Sequence, residues 1–164
     1  MIFVCAMTMA QTNAYPLLPM PQNYKVTDKS FAMGKVKLST PVLKSEWEAF
    51  IVNAGGELAD KAAAEIKIEL LPVIDGVKLN PDEAYRLSVS GKLIKIEAVT
   101  ERGVYWALQT LRQLEKKKGK KSLFAGCEIV DWPAFRIRGF MQDVGRSYIS
   151  VEELKREIEI LSTF

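Results

Sequence analysis

The chain of 164 residues contains no histidine, and this absence excludes several classes of site. Zinc sites with imidazole ligands and catalytic groups of the Ser-His or Cys-His type cannot be built from these residues alone. The two cysteines, Cys5 and Cys127, have neither the C-x-x-C spacing of a metal site nor the number needed for a disulfide framework. A formal net charge of only +3 gives no argument for nucleic acid as a partner.

Long apolar runs are also missing. Residues 2–10 form a short apolar run that ends in small residues, and it is too short to span a membrane. We interpret residues 1–14 as the remnant of a secretory signal peptide, which predicts a secreted or periplasmic protein. A hydrophobic N-terminal strand is the alternative. If residues 1–14 are a signal remnant, Cys127 is the one cysteine left in an oxidising compartment. We therefore predict that the Cys127 thiol is buried and unreactive.

The middle of the chain mixes strand and helix patterns. Strict alternation over residues 65–71 predicts a half-buried strand, and alternation over residues 85–98 around a turn at Gly91 predicts a hairpin. Helical spacing predicts one helix with a Ser45–Glu48 capping box and a second helix that begins after Thr100. Together these patterns predict an α+β fold, in which a sheet has helices packed on one face.

A lysine-rich run, "KKKGKK" at residues 116–121, follows the second helix. Lysines at this place complement the dipole of a helix C-terminus and solvate a loop. A basic module that binds polyanions is the alternative, and it would show retention on an anionic column that is sensitive to salt.

The last thirty residues differ in kind. In "FRIRGFMQDV" the apolar residues fall on both faces, which is typical of a strand buried on two sides. Ser150 and Glu153 then form a second capping box before an apolar stripe that includes Leu154, Ile158 and Leu161. A strand and helix of this kind cannot bury their own faces, so they belong to a parallel sheet or barrel. We expect the stripe to be covered by the preceding domain or a second copy, or else to be disordered.

The segment "WPAFRIRGFMQDVGRSYISVEELKREIEIL" resembles the start of the catalytic barrel of glycoside hydrolase family 20, the β-N-acetylhexosaminidases. Upstream, "EAYRLSV", "RGVYWALQTLRQL" and "LLPMPQNY" resemble the accessory domain that precedes this barrel. The resemblance covers residues 15–164, after the signal remnant at 1–14. It implies a non-catalytic α+β domain at 15–131 and a truncated first strand–helix unit of a (β/α)8 TIM barrel at 132–164.

The resemblance implies retaining hydrolysis of terminal N-acetylglucosamine or N-acetylgalactosamine, in which the acetamido oxygen of the substrate is the nucleophile. It implies no metal or organic cofactor. The expected partners are terminal N-acetylhexosamine glycans, bound through the full-length enzyme, and the remaining barrel in cis; nucleic acid is not expected. Arg138 corresponds to the family arginine that binds hydroxyls of the terminal sugar, and a strand arginine paired to a carboxylate of the missing barrel is the alternative. Asp143 and Arg146 are expected to support the site, although Ser147 replaces the usual histidine.

No residue of this chain is expected to be catalytic. The only "DE" pair, Asp82–Glu83, lies in a polar turn that resembles the accessory domain, whereas the catalytic Asp-Glu pair of the family lies on a later barrel strand. The chain alone is therefore predicted to be an inactive N-terminal portion of the enzyme. A standalone interaction or sugar-binding module that has lost the enzyme is the alternative function.

Overall fold

The computed structural model describes residues 16–164, so the predicted signal remnant and Cys5 lie outside the described residues. The described chain has an α+β fold with two sheets and three helices. The elements are β1 (Asn23–Val26), β2 (Phe31–Ala32), β3 (Lys35–Ser39), α1 (Lys44–Asn53), β4 (Glu57–Leu58), β5 (Ala64–Leu70), β6 (Tyr85–Ser90), β7 (Leu93–Ala98), α2 (Glu101–Gln113), β8 (Glu115–Lys118), β9 (Lys121–Phe124), β10 (Cys127–Asp131) and α3 (Val151–Leu161), with a short 3-10 turn at Pro81–Glu83.

Seven strands form the main sheet in the order β1-β10-β6-β7-β5-β3-β4. The register places Ile68, Ile96, Leu87 and Ile129 side by side across four strands, and these side chains are buried. The opposite face carries charges that pair across strands, as Arg86 does with Glu97 on the neighbouring strand at 3.1 Å. The predicted alternation and the hairpin at residues 85–98 are therefore confirmed, with one apolar and one charged face.

Helices α1 and α2 supply the side chains that pack on the apolar face. Thr100 caps α2 by accepting a hydrogen bond from the backbone N–H of Arg102, as its sequence position predicts. The capping box predicted for α1 is wrong, because the helix begins two residues earlier than a Ser45 cap requires, directly after Leu43 in the left-handed conformation. Ser45 therefore lies inside the first turn, where its hydroxyl donates to the Glu46 carboxylate at 3.0 Å. Cys127 is buried in this core, as predicted.

The lysine-rich run is a β-hairpin and not a loop. Strands β8 and β9 pair antiparallel, and β9 also pairs with β2, which makes a second sheet in the order β2-β9-β8. Phe124 at the end of β9 contacts Phe31 and Phe50, with ring centroids 6.4 and 5.6 Å apart. These aromatic contacts attach the second sheet to α1 and to the main core.

The strand predicted around Arg138 is not formed, and residues 132–150 contain no strand. A strand needs neighbouring strands for its backbone hydrogen bonds, and residues 16–164 provide none beside this segment. Helix α3 does form, and its Ser150–Glu153 capping box is confirmed. Its apolar stripe is largely uncovered in the single chain, with Ile158 exposed at 66% and Leu161 at 49%, while Leu154 is half-buried. Full cover by the preceding domain and disorder are therefore both wrong, and cover by a second copy stays a prediction.

Candidate functional site

The predicted sugar-binding residue, Arg138, lies against the α+β core. Nη2 of its guanidinium donates to the Glu83 carboxylate at 2.5 Å, and Nη1 donates to the Phe135 carbonyl at 2.7 Å. The guanidinium carbon also lies 5.5 Å from the ring centroid of Trp106, within the range of a cation–π contact. A carboxylate, a backbone carbonyl and an aromatic ring therefore contact the Arg138 guanidinium together.

Glu83 is the residue that joins the two parts of the site. Its side chain is 13% exposed, and it accepts hydrogen bonds from Arg138 and from Trp106 Nε1, the latter at 2.9 Å. Burial raises the pKa of this carboxyl, but the hydrogen bonds from Arg138 and Trp106 outweigh burial and bring the pKa below its ordinary value. Glu83 is therefore ionised at neutral pH and balances the arginine charge.

Asp82 and Glu83 bind different partners. The Asp82 carboxylate accepts from Arg102 at 3.2 Å, and the Asp82 carbonyl accepts from the Thr100 hydroxyl at 2.5 Å. Asp82 thus anchors the start of α2, whereas Glu83 holds Arg138. Each carboxylate is occupied by an arginine, as expected for structural ion pairs.

Asp143 and Arg146 form a separate local turn. The Asp143 carboxylate accepts from the backbone N–H groups of Gly145 and Arg146 and from the Arg146 side chain. The Arg146 side chain contributes most to lowering the Asp143 pKa. Among the hydrogen bonds and ion pairs of residues 16–164, none connects this turn with Arg138. The structure therefore places the three predicted site residues in two groups.

A cavity of about 310 Å³ lies beside Arg138, between the core and the terminal segment. Its wall includes mostly apolar side chains, among them Leu17, Met20, Trp106, Trp132, Phe135 and Phe164. Several polar groups in the wall already have partners. Gln113 exchanges two hydrogen bonds of 2.8 Å with the Leu18 backbone, and Asp131 accepts from the Gln22 N–H and the Tyr85 hydroxyl.

Asp131 and Tyr85 lie at the base of this cavity. Burial raises the pKa of the Asp131 carboxyl despite its hydrogen bonds. The Tyr85 hydroxyl also lies 2.6 Å from the Thr110 hydroxyl, and burial raises the pKa of Tyr85 well above its ordinary value. These groups connect β6, β10 and α2, so they stabilise the wall of the cavity.

Two further features are relevant to residues 16–164, namely metal-binding clusters and helices that could span a membrane. No group of three or more His, Cys, Asp or Glu side chains within residues 16–164 could hold a metal ion. In the same stretch, no helix combines the length and apolarity needed to cross a bilayer. The sequence predicts Arg138 as a site residue, but it does not reveal Glu83 and Trp106 as the partners of Arg138. Glu83 is 55 residues away in the chain, and Trp106 reaches Glu83 only through the packing of α2.

Comparison with known proteins gives this arrangement its class. Residues 14–132 match the family model described as "Glycosyl hydrolase family 20, domain 2". A β-hexosaminidase of Porphyromonas gingivalis is 29% identical over 164 residues, which cover 90% of this chain and 21% of that protein. A β-hexosaminidase of Vibrio furnissii is 34% identical over 105 residues, which cover 64% of this chain and 16% of that protein.

The crystal structure of a family 20 exo-β-N-acetylglucosaminidase from Vibrio harveyi, in complex with N-acetylglucosamine, has the same fold with a TM-score of 0.70. It is 32% identical, and the match covers 91% of this chain and 24% of that one. Since residues 1–132 are only about four fifths of the chain, this match extends into the segment after Trp132. The chain spans about a fifth of the length of the curated relatives it matches.

The fold and these relatives define a family of glycoside hydrolases. The family model covers well over half of the chain. The chain therefore belongs to glycosyl hydrolase family 20, and residues 14–132 correspond to domain 2 of that family.

Proposed function

We propose that the chain is the N-terminal portion of a β-N-acetylhexosaminidase, which removes terminal N-acetylglucosamine or N-acetylgalactosamine by substrate-assisted, retaining hydrolysis. The observation that carries this proposal is the match to family 20, domain 2, in a chain that spans about a fifth of its β-hexosaminidase relatives. A nucleophile tethered within the substrate has a high effective concentration, so the enzyme supplies an acid, a charge and a fixed geometry.

The same proposal assigns residues 15–131 to the accessory domain and residues 132–164 to the first strand–helix unit of the catalytic barrel. Two observations support it. The match to the Vibrio harveyi enzyme extends beyond Trp132, and the terminal segment leaves large apolar side chains uncovered, such as Met141 at 92% exposure. Exposed apolar clusters of this kind mark surfaces that bind another part of a protein. Once strands flank it, the segment around Arg138 gains the hydrogen bonds that a strand requires.

Within the assembled barrel we assign Arg138 to the hydroxyls of the terminal sugar. The support is chemical: two nitrogens of its guanidinium already donate to two separate oxygen acceptors, on Glu83 and Phe135. Sugar hydroxyl oxygens present acceptors of the same kind, and the guanidinium stays charged at every working pH. Asp143 and Arg146 hold each other in the loop that follows, which we propose orients the rim of the site.

Two measurements test this function. The purified 164-residue chain should not hydrolyse a chromogenic N-acetylglucosaminide, because the acid and the acetamido-orienting aspartate are not among its residues. In a protein that carries this chain together with the remaining barrel, Arg138→Ala should lower kcat/KM by about 10- to 100-fold, the cost of losing hydrogen bonds to a charged donor. Arg136→Ala, at an exposed arginine two residues away, is the matched control and should remain within about twofold. Turnover by the chain alone, or an Arg138→Ala enzyme with unchanged kcat/KM, would contradict the assignment.

We also propose that the protein is secreted or periplasmic, with residues 1–14 as the signal remnant. The support is the short apolar run that ends in small residues. Mass spectrometry of the protein recovered from the producing cells tests this directly. An intact N-terminus on the mature protein contradicts the proposal.

A further inference from the structure

Three lysines surround the turn of the β8–β9 hairpin. We call Lys118, Lys120 and Lys121 the lysine tip. The strand register places Lys118 directly opposite Lys121, and Gly119, with φ of +64°, forms the turn beside Lys120. Like charges directly opposite each other in a sheet destabilise the pairing, so this arrangement works against the fold that contains it.

Within the described part of the chain, no carboxylate forms an ion pair with the lysine tip. Glu115, the acidic residue of β8, accepts from Lys117 at 2.6 Å and from the Ser122 hydroxyl, so it is occupied. Among the ion pairs formed by residues 16–164, none includes a lysine of the tip, and all three residues are exposed. The charged face of the main sheet behaves differently, since Lys37, Lys67 and Lys95 each have a glutamate partner there.

The backbone that carries these lysines is fixed. The Ser122 N–H donates to the Ala54 carbonyl at 3.0 Å, and the Ser122 carbonyl accepts from the Met33 N–H at 2.9 Å. The Lys120 carbonyl lies so close to Gly55 that a side-chain carbon there would be 2.1 Å from it. The turn is therefore seated on the end of α1, and its positive charges have a preset arrangement, which reduces the entropy lost on binding.

We propose that the lysine tip binds linear anionic polysaccharides, whose sulfate or carboxylate groups recur along the chain. Three adjacent unpaired cations on a fixed turn fit a polyanion, because lysine is a compact point charge that makes no demand on bidentate geometry. The choice of a polysaccharide among polyanions rests on the proposed function, since such an enzyme already works on glycans.

The test uses two variants of the 164-residue chain with equal charge. Lys118→Ser, Lys120→Ser and Lys121→Ser together remove the tip and take the formal net charge from +3 to 0. The control combines Lys61→Ser, Lys78→Ser and Lys92→Ser, which removes three exposed lysines that are scattered and also form no ion pair. A third variant changes the tip lysines to arginine, which keeps the charge.

Heparin and hyaluronan are the probes, one sulfated and one carrying only carboxylates, and binding is measured across a NaCl series. We expect the tip variant to bind at least tenfold more weakly, while the scattered control and the arginine variant stay within about threefold. The slope of log affinity against log salt should fall by about two to three for three lost contacts. Binding of both probes assigns the site to anionic groups in general, and binding of heparin alone assigns it to sulfate; either result supports the proposal.

Three results would overturn it. Equal losses in the tip variant and the scattered control would mean that only net charge matters. Tighter binding to duplex DNA or to phosphatidylserine vesicles at the same salt would assign the tip to another class of partner. A wild-type chain without heparin affinity, combined with aggregation of the tip variant, would mean that the lysines protect the edge strand β8 from pairing. Because these measurements need no hydrolysis, their outcome is independent of whether the proposed hexosaminidase activity is found.

Discussion

Gly103 sets how closely α2 approaches the turn that carries Glu83, and its replacement by alanine gives a sharp test of the fold. A side-chain carbon built on Gly103 would lie 2.2 Å from the Ala84 carbonyl oxygen and 3.0 Å from the Ala98 side chain. The first distance is about 1 Å shorter than ordinary contact allows. Since the obstacle is a backbone carbonyl in a buried strand lead-in, no side-chain rotation can relieve the overlap.

Two effects of opposite sign decide the magnitude. Alanine in place of glycine contributes at most about 1 kcal/mol of helix propensity, since Gly103 lies in the first turn of α2 and not in its interior. Overpacking a well-filled interior costs about 1–3 kcal/mol, and a clash with fixed backbone belongs at the upper end of that range. We therefore expect Gly103→Ala to lower the free energy of unfolding by about 2 kcal/mol. With a urea m-value of about 2 kcal/mol per molar, the unfolding midpoint should fall by about 1 M.

The same displacement should reach the candidate site. Trp106 lies one turn after Gly103 on α2, and its Nε1 donates to the Glu83 carboxylate at 2.9 Å. Glu83 directly precedes Ala84, the residue whose carbonyl the added carbon would meet. Lifting α2 should therefore weaken this hydrogen bond and change the tryptophan emission of the folded protein. The control is Gly34→Ala, where nothing lies within 4 Å of the added carbon, and this variant should be neutral or slightly stabilised. A Gly103→Ala chain as stable as the wild type would refute the packing argument.

Two further predictions concern titratable groups. Hydrogen bonds from Arg138 and Trp106 hold the pKa of the partly buried Glu83 carboxyl below its value in the unfolded chain. Glu83 therefore stabilises the fold at pH values above its unfolded pKa. This contribution is lost as the pH falls through its folded pKa. Glu83→Gln should therefore cost about 1 kcal/mol at neutral pH and progressively less in acid, measured as urea midpoints; a deficit independent of pH would contradict this. Burial raises the pKa of Cys127 to about 12, so in a Cys5→Ser background the thiol should react with Ellman's reagent only after unfolding in concentrated urea. Fast labelling of the folded chain would contradict the burial of Cys127.

The elements that the sequence predicts well are those in which local pattern and tertiary packing agree. The hairpin of β6 and β7 alternates strictly because one face meets the helices and the other meets solvent. Helix α2 has both a capping threonine at Thr100 and a complete apolar face, so its start and type follow from local chemistry. In these segments, local propensity and tertiary packing favour the same secondary structure.

The lysine hairpin shows where local pattern fails. Lysine is a poor strand former, and a run of lysines after a helix is equally consistent with a solvated loop. Strand β9 forms because Phe124 packs into the aromatic cluster with Phe31 and Phe50, and β8 then pairs with it around Gly119. The strand structure of the lysine run is therefore determined by Phe124, which lies beyond the run, and by its partners Phe31 and Phe50, which are distant in the chain.

The candidate site is divided in the same way. The type and surroundings of Arg138 are visible in the sequence, but its acceptors are not, because Glu83 reaches it across 55 residues through the packing of α2. The pair Asp82–Glu83 looks like one unit in the sequence, yet the structure turns the two carboxylates to Arg102 and Arg138 separately. Adjacent residues thus serve different contacts, and only the fold decides which.

The two parts of the chain differ in what stabilises them. The α+β domain closes its own core, in which Trp47, Leu87 and Ile96 are fully buried. The terminal segment exposes Ile137, Met141 and Tyr148 at 90% or more. It is held by Arg138, by the Asn80 amide, which donates to the Pro133 carbonyl at 2.7 Å, and by the Tyr105 hydroxyl, which donates to the Ser162 carbonyl at 2.8 Å. We therefore expect the segment to open locally at a lower free energy than the core. A change at Arg138 should then raise hydrogen exchange in α3 while leaving the main sheet protected, which separates the role of Arg138 in holding the segment from any role in sugar binding.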